Sequence, residues 1–258
     1  MLNSVRKGMK NLKKAFLEAG TKLLSTVGNH EYKRFIVLSR SRTGSNLLIS
    51  LLDSHSQIHV KGEKFVRLRG RDHKKILANL FSKQPHFLKA KGFKIFYEHP
   101  LDDDSCSIWE DLQSMEDLYV IHLKRKNILR TLLSRKIAGI QNVWAVTPNE
   151  KSHSCQEQVT VSFTVDELNA GFRQTREWEE MGDASFSRHP LLSIDYEELV
   201  ADRATTLRKV TQFLGVEYRS PKTELLKQSC GSMREQISNY DELKSAFAET
   251  EWGHFFED

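Results

Sequence analysis

Arg34-Phe35-Ile36-Val37-Leu38-Ser39-Arg40-Ser41-Arg42-Thr43-Gly44-Ser45-Asn46-Leu47-Leu48 decides the fold. Phe35 to Leu38 form a short apolar run that reads as a buried strand. A polar turn with two arginines, Arg40 and Arg42, follows it. Beyond the turn, leucines at 47, 48, 51 and 52 recur on one helical face. A strand, a cationic turn and a helix start together make an anion cradle. The first turn of a helix presents unpaired N–H groups and the positive end of its dipole, and Gly44 permits close backbone approach. The turn is not a Walker loop, which needs an early glycine and then Gly-Lys-Ser/Thr to hold phosphates and magnesium. Arg40 to Asn46 has neither, and its cation stands two residues before the glycine, so hydrolysis of ATP or GTP is disfavoured. Without a ligand, the same residues would serve as a tight connection with an N-cap.

Downstream of residue 30, strands alternate with helices, the pattern of an α/β fold with a parallel sheet covered on both faces. Strands are expected at 35–39, 58–60, 93–97, 119–123 and 191–195. Helices are expected at 44–54, 73–81, 127–138, 165–181, 201–214 and 241–249. The polar stretch 141–158 reads as a long loop.

The chain's 258 residues suit one large domain, 30–258, preceded by a basic extension at 1–29. That extension has six cations and one acid through Lys22, with apolar residues at near-helical spacing. It is either a helix packed on the domain with its lysines in water or an amphipathic helix on anionic lipid at the membrane periphery. It lacks the h-region of a secretory signal, and no apolar run is long enough to span a bilayer. The net charge of +5 is interspersed, which suits an anionic ligand but gives no footprint for nucleic acid. Cys106, Cys155 and Cys230 are odd in number and widely spaced. They argue against a disulfide framework or zinc site and suit a reducing, cytoplasmic setting. No cluster suggests a metal.

The next chemical segment is Tyr119-Val120-Ile121-His122-Leu123-Lys124-Arg125-Lys126-Asn127. An apolar strand ends in three cations and a helix begins at once, with Asn127 and Ser134 seven residues apart on its polar side. A guanidinium at a strand's C-terminal end and a hydroxyl on the adjoining helix can share one phosphate, at the edge where open α/β sheets bind ligands. The alternative is a basic surface turn. Glu63, in Ile58-His59-Val60-Lys61-Gly62-Glu63-Lys64-Phe65, ends the second strand and is placed near the first turn if consecutive strands are neighbours. It could accept a proton, or it could pair with Lys61 or Lys64 at the surface.

Arg42-Thr43-Gly44-Ser45-Asn46-Leu47-Leu48 resembles the 5′-phosphosulfate loop of sulfotransferases that use 3′-phosphoadenosine 5′-phosphosulfate (PAPS). It is closest to the bacterial branch of nodulation-factor and trehalose sulfotransferases. The resemblance implies a P-loop-like α/β fold and sulfuryl transfer to an acceptor hydroxyl on a carbohydrate or glycolipid. It assigns Arg42, Thr43, Gly44, Ser45 and Asn46 to the 5′-phosphosulfate, Arg125 and Ser134 to the 3′-phosphate, and Glu63 to the base. Lys126 restores the commoner spacing to Ser134 and competes with Arg125. Lys94 and His99, in Gly92-Phe93-Lys94-Ile95-Phe96-Tyr97-Glu98-His99-Pro100, are similar to a lysine and histidine of eukaryotic relatives, which makes His99 the alternative base. Ile194 to Val200, Phe213 to Val216 and Ile237 to Leu243 extend the likeness over residues 34 to 256, with Lys227 and Arg234 as candidates to close over the nucleotide. Two other readings stand beside it: a P-loop small-molecule kinase using Mg-ATP, and a non-catalytic binding protein of the same fold.

Overall fold

The protein is described by a computed structural model over residues 28–141, 159–221 and 231–257. Residues 1–27 of the expected basic extension, nearly all of the stretch 141–158 expected as a loop, and Lys227 lie outside the described residues.

Five parallel strands form one sheet: β1 (Lys33–Ser39), β2 (Ile58–Lys61), β3 (Ala90–Phe96), β4 (Leu118–Lys124) and β5 (Leu191–Asp195), in the order β2-β3-β1-β4-β5. β1 lies at the centre, with Ser39 opposite Phe96 of β3 and Leu38 opposite His122 of β4. Phe35, Ile36 and Val37 are wholly buried because helices cover both faces, as the unbroken apolar run required. The α/β class is the one expected. The neighbour of β1 is not: β3 intervenes between β1 and β2, so Glu63 does not adjoin the first turn through its own strand.

Helix α1 (Ser45–Asp53) follows β1 and buries Leu48, Leu51 and Leu52. Each buried leucine contributes about 1.5–3 kcal/mol. With α7 (Arg203–Leu214) it covers one sheet face, where Leu207, Val210 and Leu214 meet Val37, Ile121 and Leu123. The opposite face carries α2 (His73–Leu80), α3 (Ile108–Gln113) and part of the long α5 (Val165–Ser185). Helix α4 (Ile128–Gln141) packs with α5, α9 (Tyr240–Phe247) and the 3-10 turn Gly253–Phe256 around Phe172, whose ring lies 4.9 Å from that of Phe255. α6 (Tyr196–Ala201) and α8 (Met233–Gln236) are short.

Several boundaries differ from expectation for local reasons. Asp202 accepts from Thr205 N–H and starts α7, which separates it from α6. α5 runs four residues past Met181 because Gly182 fits against Leu38 and His122, where a Cβ would come within 3.1 Å of both.

Candidate anion cradle and the groups around it

The turn after β1 lies mid-sheet at the C-terminal edge, flanked by β3 and β4. Arg42 and Gly44 both take left-handed backbone, φ 68° and 91°, and the Thr43 hydroxyl donates to Arg40 O at 2.5 Å. Gly44 caps α1 with no side-chain bond to the helix amides, which leaves the helix start open to an anion. The Tyr196 ring covers Gly44 closely enough to exclude any Cβ there.

Arg42 Nε donates to Ser134 Oγ at 2.9 Å, so the turn and the second turn of α4 meet directly. Arg125 donates from Nη1 to Arg42 O at 3.2 Å, and its guanidinium lies 4.8 Å from the Tyr196 ring centroid. Burial lowers the pKa of both arginines, so desolvated positive charge is concentrated under the loop. Lys126 instead turns outward to Asp195 at 3.4 Å, with its side chain 61% exposed. Of these two cations, Arg125 is the one that contacts the loop, while Ser134 is met by Arg42. Asn127 caps α4, accepting from Arg130 N–H, and donates to Phe255 O. Arg234 pairs with Asp241 on an exposed helix face.

On the β3 side, Lys94 is buried, and its ammonium meets one carboxylate and one amide oxygen. Its Nζ lies 2.8 Å from Glu63 Oε1 and donates to Asn46 Oδ1 at 2.5 Å. Glu63 therefore reaches the cradle through Lys94, not through Lys61 or Lys64, and its side chain keeps 30% exposure. His99 is placed differently. Its ring is buried against Phe96, its Nδ1 accepts from Phe96 N–H at 3.3 Å, and burial drives its pKa down to about 4.

A polar layer that sequence reasoning overlooked lies between the sheet edge and α5. Arg40, which begins the turn, donates to Gly171 O at 3.0 Å and to Thr175 Oγ1, and lies over the Trp178 ring at 5.1 Å. Burial lowers its pKa to about 10, leaving it charged at neutral pH. Tyr97, His122 and Asp183 continue the layer through successive hydrogen bonds. The available signal was polar residues inside apolar strands: His122 in Val120 to Leu123, and Lys94 in Phe93 to Phe96.

Beside Arg125, a cavity of about 500 Å³ is lined by Lys124, Lys126, Asn127, Arg176, His254 and Phe255, among others. Among the described residues, no group of three metal-ligating side chains occurs and no helix is long and apolar enough to cross a membrane.

No protein-family model matches the sequence. Nodulation protein H of Rhizobium tropici is 27% identical over 242 residues, covering 86% of this chain and 92% of that protein. Nodulation protein H of Rhizobium meliloti (strain 1021) is 25% identical over 239 residues, covering 86% and 94%. The crystal structure of a sulfotransferase from Alicyclobacillus acidocaldarius superposes with a TM-score of 0.48 at 16% identity, covering 83% of this chain and 90% of that one. The two nodulation proteins bear out the likeness to the nodulation-factor branch of sulfotransferases over most of the chain.

Proposed function

We propose that this protein is a PAPS-dependent sulfotransferase that moves the sulfuryl group to an acceptor hydroxyl, on a carbohydrate or glycolipid. The observation that carries this reading is Lys94, which touches both the cradle at Asn46 and the carboxylate of Glu63. One cation thereby holds an anion site and a proton acceptor side by side, as transfer to an alcohol requires.

The residues fit the donor. The open start of α1, Arg42 and the buried Arg125 offer N–H groups and positive charge to a phosphosulfate. When bound, PAPS supplies the sulfuryl group and a phosphate leaving group. Ser134 and the cavity beside Arg125 provide for its 3′-phosphate end. The cations on this side already have carboxylate partners: Lys124 with Asp183, Lys126 with Asp195 and Arg176 with Glu179. A phosphate would have to exchange with these carboxylates.

Glu63 accepts the acceptor's hydroxyl proton as the new O–S bond forms. Lys94 and Arg42 stabilise negative charge on the departing phosphate oxygen through fixed electrostatics. His99 is neutral near pH 7 and accepts at Nδ1 from Phe96 N–H, so Nε2 carries the proton and the ring has no lone pair free to take another. The proposed roles are tested with purified protein and radiolabelled PAPS against an extract rich in glycolipid and oligosaccharide. Labelled product from wild type, and at least about 100-fold slower labelling by Glu63→Gln, is expected. Equal labelling by both removes Glu63 from the mechanism.

A further inference from the structure

Tyr97 Oη and His122 Nε2 are 2.6 Å apart, His122 Nδ1 and Asp183 Oδ1 are 2.7 Å apart, and Lys124 donates to Asp183 Oδ2 at 2.6 Å. His122 is wholly buried within β4. Replacing such a network by packed apolar side chains is often neutral or stabilising, so its presence at the ligand-binding edge calls for a function.

The proton positions follow from the partners. Lys124 keeps Asp183 ionised and therefore an acceptor only, so His122 Nδ1 must carry a proton and donate. Burial holds His122 neutral, with a pKa of about 4, so Nε2 has a lone pair and accepts. The Tyr97 hydroxyl proton is then committed to His122, and the phenolic oxygen has only lone pairs left to offer.

The Tyr97 residue is half-buried at the C-terminal end of β3, and burial of its hydroxyl raises the pKa, so the phenol stays protonated. It follows Phe96, which pairs with Ser39, so it stands beside Arg40 at the start of the cradle. Two residues further on, His99 senses the charges of Glu63 and Lys94. The half-buried Trp178 ring lies 5.8 Å from that of Tyr97 and adds apolar surface.

We propose that Tyr97, held by His122 and Asp183, is an acceptor-recognition residue: a hydrogen-bond acceptor of fixed polarity for a second hydroxyl on a neutral polyhydroxylated substrate. This rests on the sulfotransferase reading and names the substrate class for the same site. A monohydroxylic phenol or alcohol would leave this acceptor unmatched, and a site built for a hydroxyl discriminates against ligands that lack one.

Asp183→Asn separates polarity from structure. Its amide oxygen must face the Lys124 ammonium, so its NH₂ faces His122 Nδ1 and forces the opposite tautomer. His122 then donates to Tyr97, whose own proton turns toward the substrate. Tyr97→Phe removes the oxygen instead. The test is transfer from labelled PAPS to trehalose, cellobiose and 4-nitrophenol, with the affinity for adenosine 3′,5′-bisphosphate measured by calorimetry. Both variants are expected to raise the disaccharide KM roughly tenfold or more, consistent with loss of one matched hydrogen bond; bisphosphate affinity stays unchanged in Tyr97→Phe and does not weaken in Asp183→Asn, which removes the carboxylate charge that a phosphate would have to displace from Lys124. An unchanged disaccharide KM in both variants overturns the proposal. So does a wild type that binds the bisphosphate but transfers only to 4-nitrophenol, or to none of the three. Failure of wild type to bind the bisphosphate overturns the donor reading itself, and the proposal with it.

Discussion

Gly44→Ala is the most demanding local test of the cradle. The new Cβ would lie 2.3 Å from Tyr196 Cδ2 and 2.6 Å from Cε2, inside any tolerable contact. The Tyr196 ring cannot retreat freely, since the Arg125 guanidinium rests on it and is tied to Arg42 O. Alanine at φ 91° adds about 1–2 kcal/mol of left-handed strain. Overpacking adds about 1–3 kcal/mol. The expected loss is thus about 2–5 kcal/mol, equivalent to a fall in Tm on the order of 10 °C for a domain of this size. Calorimetry with adenosine 3′,5′-bisphosphate should show weakened binding as well, because relief of the clash moves Arg125 and the loop carbonyl. Gly62→Ala is the control, with open space around its Cβ position. In Tyr196→Ala the clash disappears, so the double variant should lose less than the sum of the two single changes. A Gly44→Ala protein within about 0.5 kcal/mol of wild type, the scatter of an ordinary surface change, with unchanged bisphosphate affinity, would refute the packing described for the loop.

Other consequences can be measured separately. Glu63→Gln should lower the transfer rate on the order of 10²–10⁴-fold with bisphosphate affinity intact; a variant retaining full rate contradicts the base assignment. Arg42→Ala should weaken bisphosphate binding by roughly 10- to 100-fold, the worth of one charge-assisted hydrogen bond, and unchanged binding contradicts its role. His99 and His122 fall from 6.5 to about 4 on folding. Between those values the unfolded chain binds more protons, so the stability at stake is complete above pH 6.5 and is lost as pH falls toward 4. The loss is about 3 kcal/mol per histidine, and denaturant melts that stay flat from pH 6.5 to 4 contradict the burial of both rings.

Much of the fold was legible because apolar runs at Phe35, Ile121 and Leu191 are bounded by charge or turn residues. β1 starts two residues earlier than its apolar run because Lys33 donates to Phe213 O and lies over Tyr119, while Arg34 pairs with Asp117. Both contacts depend on partners distant in sequence. β3 was harder to bound. Lys91, Gly92 and Lys94 obscure its apolar character, yet Gly92 is required because a Cβ would lie 2.4 Å from Phe35 O. The six-residue α3 is too short to show a period.

The candidate site divides in the same way. The cradle and the expected positions of Arg125 and Ser134 reside in contiguous motifs, and Arg42 is the residue that touches both, through its carbonyl and its guanidinium. The route from Glu63 to the cradle was hidden, because neighbouring strands were assumed to be consecutive while β3 separates β2 from β1. The Arg40–Trp178 and Tyr97–His122–Asp183 contacts join segments up to 138 residues apart, from Arg40 to Trp178. No local pattern encodes such pairings.

The donor is the central claim, and calorimetric titration of the purified protein with adenosine 3′,5′-bisphosphate and, separately, with Mg-ATP tests it most directly. Saturable binding of the bisphosphate that is weakened by Arg125→Ala, with no comparable binding of Mg-ATP, is the predicted result. Tighter binding of Mg-ATP, or no binding of the bisphosphate, would contradict it.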